Sequence, residues 1–204
     1  MTYTVLPIKM PNYEKRLDAN RTWALREGGM FFQNESEVQK SLRRITGCLH
    51  DLSIDYAVVG GMALFLHGHR RFTEGVDLLM TPDGLAKAHA ALEGSGYRSP
   101  FPNSRNLRDT ENGVRICLHL AESKHETVER EGVTVLSLPG VIEWKLAFGM
   151  SATDRLKDLE DVQEMIKVLR LPSGYQEQLT PSVRAKYLEL WLPVSEISKQ
   201  DQLG

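Results

Sequence analysis

One carboxylate, Asp77, follows a Gly-Gly turn in the most informative stretch of this chain. Gly60 and Gly61 lie between an apolar strand and a short helix, a turn whose backbone N–H groups can bind phosphate oxygens. Glycine suits this turn because a side chain would block the close approach of a phosphate. Arg71 and Thr73 add a cation and a hydroxyl shortly before Asp77. These residue types at this spacing indicate a site that handles a phosphate group.

The chemistry available to such a site depends on what accompanies Asp77. Two-metal phosphoryl transfer uses a cluster of carboxylates to hold its ions. Two positions before Asp77, where a second acid would share the same face of the strand, the residue is Gly75. The sequence therefore combines a phosphate-type turn with an incomplete set of metal-binding acids.

Hydrophobic periodicity and capping signals predict the elements that position these residues. Asn34 to Glu37 has the spacing of a capping box and precedes a helix that ends near Ser53. Residues 97–112, rich in Pro, Asn, Ser and Arg, are predicted to form a long connection. The remaining predicted elements are strands at 56–59, 76–80, 114–120 and 133–138, and helices at 62–66, at 81–94, from 139, from Thr153 or Asp154, and from 180.

The predicted fold class is α/β (α+β), a mixed sheet flanked by helices and followed by a C-terminal helical region. The 204 residues suffice for one core with an attached helical region or for two small domains. We predict an irregular N-terminal arm at 1–33, an α/β domain at 34–138, a helical region at 139–192 and a flexible tail at 193–204.

Composition excludes some classes of function. The net charge of -2 gives no basic footprint for sequence-independent nucleic-acid binding, which leaves a local basic patch as the open alternative. Cys48 and Cys117 are too few for a disulfide framework, which favours a reducing compartment. No apolar run approaches the length of about 20 residues that a membrane-spanning helix needs. The expected location is the cytoplasm, without membrane contact.

The string from Val59 to Leu79 resembles the minimal nucleotidyltransferases of the DNA-polymerase-beta superfamily, with the abortive-infection-type toxins and their bacterial relatives as the nearest branch. The resemblance covers roughly residues 55–170. Further segments that match in the family order are Asn106–Thr110, Gly113–Ile116, Leu136–Pro139, Glu143–Leu146 and Asp154–Val162.

This resemblance implies a mechanism, and the sequence departs from it. In the family, an Asp-x-Asp pair holds Mg²⁺ on the phosphates of an NTP, and a third acid on a later strand completes the site. Asp77 matches one of these acids as a catalytic and metal-binding residue, whereas Gly75 and Cys117 stand at the other two positions. Lys145 matches a family lysine that is associated with nucleotide phosphates and catalysis. Gly60, Gly61, Arg71, Thr73 and Lys145 are the implied nucleotide-binding residues.

Several substitutes for the missing acids remain open at this point. A bulge at Gly75 would turn Glu74 toward the face of Asp77. Cys117 and His119 share a face and could join Asp77 in a transition-metal site. Two further groups of charged residues each have two interpretations. Arg105, Arg108 and Arg115 form either an anion-binding rim or a solvated surface. Asp158 and Asp161 are either the family's acidic helix or partners of Arg155 or Lys157 in local ion pairs.

Three hypotheses follow. The first is an active enzyme that moves NMP from an NTP to a hydroxyl of a protein, an RNA or a small molecule. The second, which the missing acids favour, is a catalytically degenerate protein that binds a nucleotide or phosphate, a protein partner or a second copy of itself. The third is a chain whose acids were replaced to silence a reactive parent. Mg²⁺ and an NTP are the ligands that the resemblance implies, although one remaining acid is a poor basis for Mg²⁺ binding.

Overall fold

The computed structural model describes residues 12–121 and 125–200, with side chains up to residue 196. In chain order the elements are α1 (Tyr13–Ala19), α2 (Arg21–Phe32), α3 (Glu37–Asp51), β1 (Ala57–Val59), α4 (Gly60–Leu66), β2 (Gly75–Met80), α5 (Pro82–Leu92), β3 (Tyr97–Arg98), β4 (Leu107–Asp109), β5 (Arg115–Leu120), β6 (Thr127–Arg130), β7 (Val133–Leu136), α6 (Leu138–Ser151), α7 (Leu156–Leu169), a 3₁₀ turn (Ser173–Gln178) and α8 (Pro181–Gln200). Both helices and strands are well represented, which confirms the α/β class.

The described residues form two compact units that do not follow the predicted linear boundary at 138/139. The first unit comprises the described residues up to Tyr56 together with Phe72–Leu120. The second comprises Ala57–Arg71 and the described residues from Ala121 onward. The reason is pairing at a distance: β1 pairs in parallel with β7, and α4 packs against α6.

The first unit is built on a mixed sheet in the order β3-β4-β5-β2. β2 and β5 are parallel, whereas β3, β4 and β5 are successively antiparallel. α3 packs against β2, and α5 packs against β5. β3 and β4 lie within residues 97–112, which we predicted to be a connection without strands, and each is only two or three residues long.

The start of α3 corrects a capping prediction. The capping box joins Ser36 and Gln39 rather than Asn34 and Glu37. Asn34 has a left-handed backbone with φ of 61°, whereas an N-cap residue needs an extended conformation. The apolar face of α3 is buried as its spacing predicted, with Leu42 and Leu49 inside the core.

The N-terminal segment is helical where it is described, so the prediction of an irregular arm at 1–33 is wrong for residues 13–32. Asn12 caps α1 through the backbone N–H of Lys15, and Asn20 caps α2 through that of Trp23. Tyr13 is fully buried and donates a hydrogen bond to Glu27. Residues 1–11 lie outside the described part of the chain.

The second unit combines a small mixed sheet with a helical layer. Its strands follow the order β1-β7-β6, with β6 antiparallel to β7. α6, α7 and α8 form the helical region that the sequence predicted. Their shared core contains Ile142, Leu146, Val162, Ile166, Tyr175, Leu179, Val183 and Tyr187.

Two boundaries in this unit differ from expectation. α7 begins at Leu156 with Arg155 at its N-cap and without a side-chain cap, not with a cap at Thr153 or Asp154. α8 continues through Pro193 to Gln200, so residues 193–200 extend a helix rather than begin a flexible tail. Residues 201–204 lie outside the described part. In the described ranges, no helix has the length and apolar character needed to cross a membrane.

Candidate functional site

The β2–β5 pair places the predicted catalytic positions on one face of the first unit's sheet. Gly75 is opposite Arg115, and Asp77 is opposite Cys117, in a continuous parallel register. Strand alternation puts Gly75 and Asp77 on the same face, with His119 two residues beyond Cys117. The predicted grouping of Asp77, Cys117 and His119 is therefore confirmed. We call this surface the β2–β5 face.

The strand register also shows whether Glu74 can share the face of Asp77. Pairing runs without interruption from Gly75 with Arg115 to Met80 with Leu120, so β2 contains no bulge at Gly75. Glu74 is exposed and precedes the strand. The alternative in which Glu74 turns to the face of Asp77 is wrong for this reason.

Asp77 is held by its neighbours on this face. His119 Nε2 lies 3.1 Å from Asp77 Oδ1, and because a carboxylate only accepts hydrogen bonds, Nε2 carries the proton in this contact. The Cys117 thiol also forms a hydrogen bond with Asp77. Burial raises the pKa of that thiol to about 11, and the negative charge of Asp77 adds to the rise. Cys117 is therefore a protonated donor.

These donors do not match the metals considered for the site. Mg²⁺ takes oxygen ligands and Asp77 is the one carboxylate at the three matched positions, while a transition metal would need the thiolate of Cys117. Within the described ranges, no group of three or more His, Cys, Asp and Glu side chains is arranged to hold a metal ion. The β2–β5 face thus fits neither a magnesium pair nor the Asp77–Cys117–His119 metal site.

The protonated state of Cys117 yields a testable prediction. In the Asp77→Asn variant the negative charge disappears, so the pKa of Cys117 is expected to fall, yet to stay above its ordinary value because burial persists. Alkylation of Cys117 at mildly alkaline pH should become severalfold faster, as followed by peptide mass spectrometry. Cys48, which is also a free thiol, is the internal reference. An unchanged rate at Cys117 would show that Asp77 does not control the thiol.

The region around Gly75 is occupied by an arginine. A Cβ atom at residue 75 would lie 3.0 Å from the backbone oxygen of Arg115 and 3.8 Å from its Nε. Arg108, opposite Arg115 on β4, donates a hydrogen bond of 2.7 Å to Glu14 Oε2 on α1. Arg115 Nε lies 3.9 Å from the other oxygen of Glu14. The sequence does not single out Glu14, because its segment is predicted to be an irregular arm.

The Gly-Gly turn belongs to the second unit and has the predicted form. β1 ends at Val59 and α4 begins at Gly60. Gly60 has φ of 63°, in the region that favours glycine, and both Gly60 and Gly61 are buried. No side chain caps this end of α4. Thr73 is partly buried in the segment before β2, in the first unit.

Lys145 is the centre of a buried ion cluster in the second unit. Its Nζ lies 2.5 Å from Asp158 Oδ1 and 2.8 Å from Asp161 Oδ2, and its side chain is 6% exposed. Arg71 Nη2 donates to the same Asp161 oxygen at 3.0 Å, and its Nε lies 2.8 Å from Oδ1. Two predicted phosphate ligands, Arg71 and Lys145, are thus brought together by Asp161.

This cluster changes how the sequence is interpreted. Lys145 is not a solvated lysine, and the main partners of Asp158 and Asp161 are on other elements of the unit. Arg155 contributes only a longer contact, 3.7 Å from Asp158. The signal that could have revealed the cluster is the three-residue spacing of Asp158 and Asp161, which places both carboxylates on one side of α7.

Comparisons with known proteins find structural likeness only. No protein-family model matches the chain, and no curated protein matches it. An antigenic nucleotidyltransferase-like protein from Paracoccidioides brasiliensis is 21% identical with a TM-score of 0.47, over 64% of this chain and 75% of that one. A candidate nucleotidyltransferase from H. pylori is 16% identical with a TM-score of 0.47, over 81% and 96%.

A third similar structure is that of ANT(2")-Ia in complex with adenylyl-2"-tobramycin. It is 12% identical with a TM-score of 0.45, over 78% of this chain and 97% of that one. Because the identities and TM-scores are this low, the similarities show neither the family of this chain nor its activity.

Proposed function

We propose that this chain is a nucleotidyltransferase-fold protein that has lost metal-dependent nucleotidyl transfer and acts by binding a nucleotide phosphate or a protein partner. One observation carries the proposal. On the β2–β5 face, Asp77 comes two residues after Gly75 on β2 and is in register with Cys117 on β5. The positions that would supply the other acids supply no carboxylate.

The absence of two acids has a large expected effect on catalysis. Two metal ions neutralise the triphosphate and position the attacking and leaving oxygens, and they need several carboxylate oxygens to stay in place. Electrostatic stabilisation of this kind is usually the largest contribution to catalysis. Asp77 alone cannot bridge two ions while it accepts hydrogen bonds from His119 and Cys117. Binding without transfer is therefore the better-supported function.

Features that could serve binding remain. The buried Gly60–Gly61 turn at the uncapped start of α4 is compatible with a phosphate. As finer parts of the same proposal, we place the chain beside the abortive-infection-toxin-like branch and in the cytoplasm of a bacterium. Those parts rest on the resemblance of Val59–Leu79 and on the two unpaired cysteines.

The test of the proposal is an assay for transfer. The purified chain is incubated with α-labelled NTPs, with Mg²⁺ or Mn²⁺, and with protein, RNA and aminoglycoside acceptors. We expect no labelled NMP on any acceptor and none on the chain itself. Metal-dependent labelling that disappears in the Asp77→Asn variant would overturn the proposal and establish the active enzyme.

Restoration of the acids is the complementary prediction. In the double variant Gly75→Asp, Cys117→Asp, three carboxylates would share the β2–β5 face, and calorimetry should detect binding of Mn²⁺ that the original chain lacks. Gly75→Asn, Cys117→Asn is the neutral control of matched shape. Because Arg115 lies beside residue 75, adding Arg115→Ala should strengthen the gain. Equal ion binding by the acidic and neutral variants would contradict the assignment of these positions.

A further inference from the structure

Arg115 differs from Arg71, Lys145 and Arg108 in how little its charge is compensated by carboxylates. Arg71 and Lys145 each contact carboxylate oxygens at 3.0 Å or less, and Arg108 donates to Glu14 at 2.7 Å. Arg115 has Glu14 as its ionic partner, at 3.9 Å. Its side chain is 51% exposed.

Two carboxylates at or beside the β2–β5 face have close hydrogen-bonded partners. Asp77 has His119 as a partner at 3.1 Å, and Glu14 has Arg108 at 2.7 Å. The second oxygen of Glu14, Oε1, is buried and accepts no hydrogen bond. Among the described residues, Arg115 is therefore a cation on this face that has no hydrogen-bonded carboxylate, and it lies next to a residue that has no side chain.

Gly75 leaves the space beside this cation without a side chain. A Cβ atom at residue 75 would lie 3.8 Å from Arg115 Nε, so an aspartate there would bring its carboxylate to the guanidinium. With glycine, no carboxylate from this position competes for the guanidinium. The same substitution that removes a metal ligand thus leaves a positive charge available beside Asp77.

We propose that Arg115 forms a metal-free anion site on the β2–β5 face, which binds the phosphate groups of a nucleoside triphosphate or another oligophosphate. The inference rests on the proposed function, since it assigns a residue to the phosphate binding that replaces transfer. A guanidinium matches phosphate in geometry and can donate two parallel hydrogen bonds. It would supply at this face the positive charge that a metal ion supplies in an acid-bearing site.

The experiment is a binding titration in EDTA. Inorganic tripolyphosphate, ATP, GTP, CTP, UTP and a nucleoside without phosphate are titrated into the full chain by calorimetry. We expect tripolyphosphate and the nucleotides to bind and the nucleoside not to bind. Tighter binding of one nucleotide than of tripolyphosphate would identify a nucleotide as the ligand, and equal binding would identify the phosphate chain alone.

Single substitutions test whether Arg115 forms the oligophosphate site. Arg115→Ala should weaken tripolyphosphate binding about tenfold or more, as expected for a charge-assisted pair. Lys87→Ala, which removes an exposed lysine from α5 in the same unit, should change it by less than about twofold. Gly75→Asp should also weaken binding because the new carboxylate pairs with Arg115, whereas Gly75→Asn should not.

Three results would overturn the site: no oligophosphate binding in EDTA, binding that requires Mg²⁺, or equal affinity of the original chain and Arg115→Ala. None of these results would by itself show that the chain catalyses nucleotidyl transfer, because the labelling assay measures transfer separately. Conversely, metal-dependent labelling would refute the proposed function whatever Arg115→Ala does. Failure of the Arg115 site and failure of the proposed function are therefore distinguishable.

Discussion

The Asp161→Asn variant is expected to lose about 3–5 kcal/mol of unfolding free energy. Asp161 is 3% exposed and accepts hydrogen bonds from both Lys145 and Arg71. Removal of its charge leaves two cations near one remaining carboxylate, Asp158, in a site from which water is largely excluded. An unpaired buried charge costs far more than a lost surface contact, which sets the size of the effect.

Chemical denaturation of the original chain and the variant measures this loss. Glu160→Gln is the matched control, because Glu160 neighbours Asp161 on α7 but is exposed. We expect the control to change the unfolding free energy by about 0.5 kcal/mol at most. A loss of similar small size in Asp161→Asn would show that water or rearranged side chains compensate both cations, and would contradict the buried cluster.

The cluster illustrates what the sequence could not supply. Asp158 and Asp161 were recognised as neighbours on one face of α7, but their partners were sought on the same helix. Lys145 reaches them because α6 and α7 pack against each other. Contacts between elements depend on helix packing, whereas hydrophobic periodicity predicts only which face of each helix is buried.

The fold was predicted best where local signals are strong. α3 is predicted by its apolar spacing, α5 by its capping residue Thr81 and the proline that follows, and β1, β2 and β5 by apolar runs beside glycine. The short strands β3, β4 and β6 were missed because two to four residues give no periodicity to detect. Such strands form because a neighbouring strand pairs with them.

At the candidate site the sequence placed Asp77, Cys117 and His119 on one face but missed Glu14 and the special position of Arg115. Glu14 contacts the β2–β5 region from a helix more than sixty residues earlier in the chain than Asp77. Its partners Arg108 and Arg115 belong to the predicted anion-binding rim, Arg108 in the predicted connection at 97–112 and Arg115 in the predicted strand at 114–120. The structure puts Arg108 on a strand as well, in register with Arg115. Arg108 is closely paired with Glu14, whereas Arg115 is only loosely paired with it.

The Gly149→Ala variant is expected to destabilise the chain by about 1–3 kcal/mol. Gly149 is buried on α6, and a Cβ atom there would lie 2.5 Å from Leu159 Cδ2 and 2.7 Å from its Cγ. Those distances are too short for carbon atoms, so α6 and α7 would have to separate or Leu159 would have to leave its rotamer. Separation would also lengthen the contacts of Lys145 with the carboxylates of α7.

Thermal and chemical unfolding measure the Gly149→Ala effect, and two further variants isolate its cause. Gly47→Ala lies in α3 with no atom within 4 Å of the added carbon, so it should stabilise the chain by about 0.5–1 kcal/mol. In a Leu159→Ala background the atoms that clash are absent, and Gly149→Ala should then cost little. A full cost in that background would locate the strain elsewhere on α6. A stabilising effect of Gly149→Ala alone would contradict the close approach of α6 and α7 on which the buried cluster depends.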